Sequence, residues 1–102
     1  MTPEVWATVY ARDRRCVRCG GEGWHVHHRK LRSQGGEDAL PNLVLLCQRC
    51  HELVHSRRVE VGEPGGFIVP SWQDPSEVPV LYHRRGPALL TSAGTLEGLR
   101  SE

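Results

Sequence analysis

The sequence has no long apolar run, and its longest purely apolar stretch is the five residues 43–47. A helix that crosses a membrane needs about 20 such residues, so we expect no membrane span. The first 15 residues also lack the apolar segment of a signal peptide. The sequence therefore predicts a cytoplasmic protein whose cysteines are in a reducing compartment.

Apolar side chains are scarce as well. They make up 38% of the 102 residues, and the 11 glycines add no side chain to a core. A chain of this length forms one small domain with an extension, and it is too short for two independent enzyme domains. Because a thin core barely offsets the entropy lost on folding, we expect a disulfide or a structural metal to stabilise the fold.

The chain has only four cysteines, arranged as Cys16-x-x-Cys19 and Cys47-x-x-Cys50. In a reducing compartment, two such pairs are typical of a tetrahedral Zn²⁺ site made of four thiolates. The alternative is a redox-active Cys-x-x-Cys, but the βαβ context of that chemistry is absent and the second pair would be unexplained. The spacing predicts a structural zinc.

The net charge is only +1, but it is unevenly distributed. Residues 1–58 contain ten Lys/Arg and six Asp/Glu, whereas residues 59–102 contain three and six. The basic half suits an anionic partner such as nucleic acid, because phosphates supply most of the non-specific affinity in such complexes.

Local patterns predict an α+β fold in the first half. Thr2, Pro3 and the apolar spacing that follows predict a helix over residues 3–14. Residues 24–28 and 43–46 are predicted strands, and Trp24 and Val26 share one face of the first. Trp24 could be a stacking platform for a base, but an aromatic in this alternation is more often core. The polar stretch 29–41 connects them, and residues 50–58 are a predicted helix that ends on Arg57 and Arg58.

Residues 59–102 form a Gly/Pro-rich C-terminal extension. Its breakers rule out a long helix, and residues 67–69, 78–82 and 89–90 are strand-like pieces. We expect this extension either to wrap on the first part, with a short hairpin, or to be partly disordered. The predicted domain boundary lies between residues 58 and 59.

Histidines in the first half predict a second metal site. His51 and His55 are four residues apart, so they project from one helix face, and His27 on the neighbouring hairpin can complete three nitrogen ligands. His28 remains free to act as a general base on water, since its ordinary pKa is close to neutrality. Asn42 opens the second strand, where its amide can hold a backbone group.

These residues together predict phosphodiester hydrolysis at a divalent ion. Arg29, Lys30 and Arg32 follow the general base directly and are predicted phosphate-binding residues. An all-imidazole ligand set favours Zn²⁺, Ni²⁺ or Mn²⁺, while Mg²⁺ stays an alternative if water fills most of its coordination positions.

Residues 4–58 resemble the zinc-knuckle HNH endonucleases. The likeness rests on Cys16-x-x-Cys19, Val26-His27-His28-Arg29, Gly35-Gly36, Asn42 to His51 with Cys47-x-x-Cys50, and His55. It implies a small ββα-metal domain in which His28 is the catalytic base, Asn42 steadies the hairpin, and His27 and His51 bind the metal. His55 is similar to the further histidine ligand of the colicin nucleases. Many members have Asp where this chain has His27.

The C-terminal extension resembles the tails of HNH proteins from actinobacterial phages. This likeness implies a role in genome packaging beside a phage terminase, with DNA as the substrate, in the cytoplasm of the bacterial host. Two alternatives stay open at this point. One is a non-catalytic zinc module that binds nucleic acid, and the other is a packaging partner whose nuclease site is silent until another protein completes it.

Overall fold

A computed structural model describes residues 1–56 and 65–98. The fold is a small α+β arrangement of two helices and two antiparallel sheets. Its elements are α1 (Pro3–Asp13), β1 (His25–His28), β2 (Leu43–Leu46), α2 (Gln48–His55), β3 (Val80–Tyr82), β4 (Gly86–Leu90) and β5 (Leu96–Gly98). None of the helices in the described part of the chain has the length and apolar character that a membrane crossing requires.

Helix α1 begins as predicted and ends one residue early. The Thr2 hydroxyl accepts a hydrogen bond from the Val5 amide, and Pro3 occupies the first turn. Most of the predicted apolar stripe packs on β2, where Val9 joins Leu43 and Leu45 in a cluster that water does not reach, whereas Trp6 of the same stripe is 40% exposed. This packing fixes the hairpin on one side.

Strands β1 and β2 form an antiparallel hairpin with His25 opposite Leu46 and His28 opposite Leu43. Every residue of β2 is buried, as its continuous apolar run requires. Trp24 is 62% exposed, so the prediction that it lies in the core is wrong. It precedes the first residue of β1 and lies at the open end of the hairpin, outside the alternation that buries strand residues.

Residues 65–98 pack on the first half of the chain. They form a three-stranded sheet in the order β3-β4-β5, and the predicted hairpin is β3–β4. Phe67 and Val69 are buried and Ile68 is half-buried, but residues 67–69 do not form a strand, and β5 was not predicted. The predicted boundary at 58/59 and the pair Arg57-Arg58 lie outside the described residues.

One core cluster contains residues from both halves of the sequence. Its members are Cys16, Val17, Val44, Leu46, Cys50, Val54, Phe67, Val80, Tyr82, Ala88 and Leu90. A polar link supports the cluster: the buried carboxylate of Asp13 accepts hydrogen bonds from Arg12, the Leu45 amide and the Tyr82 hydroxyl. The two cysteine pairs and the C-terminal sheet therefore share one interior.

Candidate functional site

The four cysteines converge at one point. The first pair follows α1 in a tight turn closed by the Gly20 amide on the Cys16 carbonyl, and Cys47 caps the N-terminus of α2. Their four Sγ atoms all lie within 4.8 Å of one another, and those of Cys19 and Cys47 are 3.7 Å apart. Zinc–sulfur bonds of about 2.3 Å in a tetrahedron place sulfurs about 3.8 Å apart. The donor set and its geometry are thus compatible with a structural zinc.

Neighbouring N–H groups offset the negative charge of such a centre. The Gly21 amide donates to Cys19 Sγ at 3.4 Å and the Cys50 amide to Cys47 Sγ at 3.3 Å. The Arg18 guanidinium is 3.7 Å from Cys50 Sγ. These donors stabilise thiolates over thiols, which is the form a metal binds.

The three predicted histidine ligands lie together between β1 and α2. The ring centroids of His51 and His55 are 4.7 Å apart, and those of His27 lie 5.6 Å and 6.3 Å from them. Imidazoles that share one ion at metal–nitrogen distances of about 2.1 Å have centroids roughly 5 Å apart. The His51–His55 and His27–His51 distances are close to this value, whereas the His27–His55 distance is longer.

The His27 ring is held in one orientation. Its side chain is buried, and Nε2 is 2.8 Å from the carbonyl oxygen of Phe67. Because a carbonyl only accepts, Nε2 carries the hydrogen and Nδ1 is the nitrogen left to bind a metal. Burial lowers the pKa of His27 to about 4, so the ring is neutral near pH 7, as a ligand must be. Sequence reasoning missed Phe67, since a backbone contact leaves no signal in residue type.

His25 adds a fourth ring that sequence reasoning left without a partner. It stacks on His51 with centroids 4.6 Å apart and planes 11° from parallel. Two parallel stacked rings do not aim their nitrogens at the same ion, so His25 supports the His51 ring. Among the residues described, the cysteines alone bring three or more ligand atoms within 4.8 Å of one another. Because His27 is held by the Phe67 carbonyl, the His51 and His55 rings would have to rotate for the three to meet on one ion.

His28 is hydrogen-bonded to an acid that the sequence did not point out. Its Nε2 lies 2.7 Å from Asp38 Oδ1, and its side chain is 19% exposed. The bond with His28 lowers the pKa of Asp38 to about 2, so Asp38 is a carboxylate that only accepts. In the neutral ring, Nε2 therefore bears the hydrogen and Nδ1 has the free lone pair. In the sequence, only its position as an acid shortly after the Gly35-Gly36 turn could have indicated Asp38.

Asn42 holds the loop between β1 and β2. Its Oδ1 accepts from the Lys30 amide at 2.7 Å, and its Nδ2 donates to the carbonyls of Lys30 and Glu37 at 3.1 and 3.0 Å. This is the backbone contact expected of it. Gly36 lies so close to the Lys30 carbonyl that a Cβ there would be 1.8 Å from the oxygen, so this position needs glycine.

The prediction that Arg29 binds phosphate is wrong. The residue is 1% exposed, and its guanidinium donates to the carbonyls of Gly66, Pro41, Pro75 and Val78 at 2.7–2.9 Å. The C-terminal half covers this side of the hairpin, which turns Arg29 into a buried bridge between the two parts of the chain.

The two neighbouring cations remain accessible. Lys30 is half-buried and lies beside a groove lined by Trp72 and Asp74. The Arg32 side chain is 71% exposed, and its Nη1 is 3.9 Å from Asp38 Oδ1, at the edge of ion-pair distance. The phosphate-binding role of Lys30 and Arg32 stays a prediction.

Comparison with known proteins identifies one family. The family model described as HNH endonuclease matches residues 16–57, a range that includes both cysteine pairs, the candidate residues His27, His28, His51 and His55, and Asn42. No curated protein and no solved structure matches the chain. The match confirms the resemblance seen in the sequence but does not bear on the likeness to phage proteins.

Proposed function

Because residues 16–57 are a zinc-knuckle HNH domain, we propose that this protein is a metal-dependent endonuclease that hydrolyses phosphodiester bonds in DNA. The observation that carries the proposal is the juxtaposition on β1 of two differently bound histidines. His27 belongs to the imidazole cluster with His51 and His55, whereas His28, the next residue, is paired with Asp38 outside it. Such a pair provides a ligand and a base within one strand.

His27, His51 and His55 would hold the catalytic ion. A divalent ion with open positions polarises a phosphate oxygen and offsets the charge that develops on the phosphoryl group. Nitrogen ligands favour Zn²⁺, Ni²⁺ or Mn²⁺, and Mg²⁺ is the weaker candidate because it prefers oxygen.

The proton in this reaction is moved by His28. Nδ1, the nitrogen without hydrogen, accepts a proton from the attacking water, and the Nε2–H bond to Asp38 stabilises the imidazolium that forms. Asn42 holds the following loop in place so that the ring keeps its orientation. Lys30 and Arg32 supply donors for the phosphate.

Supercoiled plasmid cleavage tests this function. We expect purified protein with added divalent metal to nick or linearise the plasmid, and His28→Ala to slow cleavage by about 10²- to 10⁴-fold. The melting temperature and DNA affinity should stay close to those of the parent, because the ring is partly exposed and bonds only to Asp38. Ser33→Ala, an exposed change in the following loop, is the control. A His28→Ala protein that cuts at the parental rate contradicts the assigned role.

Asp38→Asn should slow cleavage by about 10- to 100-fold, because the amide no longer fixes the His28 tautomer or stabilises its cation. The measurement is the initial rate of nicking at saturating protein. In the His28→Ala background the same change should have no further effect, since both residues act on one proton transfer. Equal slowing in both backgrounds would show that Asp38 acts independently of His28.

A specific observation also favours a second candidate, a zinc module that binds nucleic acid without cutting it. The histidine nitrogens do not converge as the cysteine sulfurs do in the part of the chain described. Metal analysis separates the two candidates: the nuclease should bind a second, exchangeable ion, whereas the module should bind a single zinc and cut with none of the four metals.

The role in phage genome packaging is proposed from the sequence resemblance alone. Its test is plasmid cleavage with and without a phage terminase. Activity that rises only with terminase supports a packaging partner, and full activity without any stimulation argues against one.

A further inference from the structure

A basic groove lies next to the zinc knuckle, between the end of α1 and the tip of the β3–β4 hairpin. It encloses about 550 Å³, and its lining includes four arginines and one histidine, namely Arg14, Arg15, Arg84, Arg85 and His83. The acid in its wall is Asp13, whose carboxylate is already bonded to Arg12, Leu45 and Tyr82. Four cationic side chains thus share one concave surface in a protein whose net charge is only +1.

These arginines lack the partners that other arginines of the chain have. Arg12 binds Asp13, and Arg29 binds four carbonyls. Within residues 1–56 and 65–98, the guanidinium groups of the groove form no ion pair and no side-chain hydrogen bond. Arg85 alone has a neighbour of note, the Tyr82 ring at 5.8 Å. The donors face solvent and are available to an anion.

The backbone beneath two of the arginines is strained. Arg14 and Arg84 have φ angles of 64° and 61°, and they are the non-glycine residues with positive φ in the described chain. Glycine adopts such angles without cost, whereas a Cβ makes them unfavourable. The chain thus has a cationic side chain at both strained corners of one groove, and backbone strain of this kind concentrates at functional sites.

The hairpin tip is firmly attached to the knuckle. The His83 amide donates to the Val17 carbonyl at 2.8 Å, and the His83 ring lies against Gly20, where a Cβ would be 2.5 Å from the ring. Arg84 and Arg85 are therefore presented on a rigid support, so that little conformational entropy is lost when they bind.

We propose that this groove binds the phosphate backbone of duplex DNA, apart from the site that cuts it. The inference rests on the proposed function and names the surface that holds the substrate. Unpaired guanidinium groups bind phosphate oxygens with charge-assisted hydrogen bonds and release counterions from the duplex. The molecule measures 35 × 29 × 27 Å, comparable to the roughly 34 Å of one turn of duplex, so the groove and the cutting site are separated by no more than about one to two turns.

The test is duplex binding in the His28→Ala background, in which cleavage is about 10²- to 10⁴-fold slower. The probe is a labelled random-sequence duplex of about two helical turns. Arg84→Gln/Arg85→Gln should weaken binding about tenfold or more and reduce the slope of log affinity against log salt by about two. The matched control is Arg49→Gln, an exposed arginine of α2 that lies outside the groove. Arg49→Gln should reduce the salt slope by no more than about half of the reduction expected for the double variant.

A second variant separates binding from folding. Arg14→Gly/Arg84→Gly removes two charges and relieves both strained corners, so its melting temperature should equal or exceed the parent's while its DNA affinity falls. Weaker binding together with undiminished stability supports the groove. Parental affinity and salt slope in both double variants would overturn it.

Failure of this inference is distinguishable from failure of the proposed function. A protein that cuts plasmid but whose groove variants bind as tightly as the parent refutes the groove alone. A protein that never cuts, yet binds duplex through these arginines, supports the groove and refutes the nuclease. In the cutting enzyme, the groove variants should need more protein for half-maximal cleavage at an unchanged saturated rate.

Discussion

Cys50→Ser should leave the protein largely unfolded at room temperature, and so should removal of zinc by a strong chelator. Cys50 is 3% exposed and belongs to the core cluster shared by both halves of the chain. Structural zinc contributes about 10–16 kcal/mol in small zinc-binding domains. The net free energy of unfolding of a domain is only about 5–15 kcal/mol. Loss of one zinc ligand is therefore expected to remove as much stabilisation as the whole fold has.

Circular dichroism melts together with zinc content per chain measure this effect. Val17→Ala is the matched control, because it removes buried volume beside Cys16 without removing a ligand. It should cost only about 1–3 kcal/mol and leave the zinc bound. A Cys50→Ser protein that melts within a few degrees of the parent would show that the four thiols are not a structural zinc site.

Arg29→Met should lower the free energy of unfolding by about 4 kcal/mol or more. Methionine fills much of the volume but leaves the carbonyls of four residues without their donor, and each buried unpaired group costs about 1–3 kcal/mol. Arg29→Lys should lose somewhat less, since an ammonium group keeps the charge but lacks the planar fork that reaches all four oxygens.

Urea unfolding measures both changes. Arg32→Met is the control, because its exposed side chain follows the same strand, and it should shift stability by no more than about 0.5 kcal/mol. The buried-bridge interpretation would be wrong if Arg29→Met stayed within about 1 kcal/mol of the parent.

The parts of the site that sequence predicts are those fixed by local geometry. A Cys-x-x-Cys turn brings two sulfurs together wherever it occurs, and residues four apart on a helix share a face. Both cysteine pairs, and His51 with His55, follow from these rules. The predicted strand at 43–46 matches β2, because a continuous apolar run must be buried on both faces.

The parts that sequence does not predict depend on how the chain folds in three dimensions. Arg29 follows a histidine in a polar stretch and resembles a surface cation until residues 65–78 cover it. Asp38 contributes only after the loop folds back on His28. Nothing near Trp24 in the sequence indicates that the hairpin leaves it uncovered. Arg29 and Asp38 take their roles from contacts that form only when the chain folds, and Trp24 stays 62% exposed.

The contact between Phe67 and His27 has a consequence for protein engineering. A fragment limited to residues 16–57 would contain every candidate ligand. It would lack the Phe67 carbonyl that fixes the His27 tautomer, and it would also lack three of the four carbonyl oxygens around Arg29. The segment that can be transplanted with its site intact is therefore longer than the family match. A designer who transplants it to a new scaffold must bring the C-terminal sheet along or build a substitute for it.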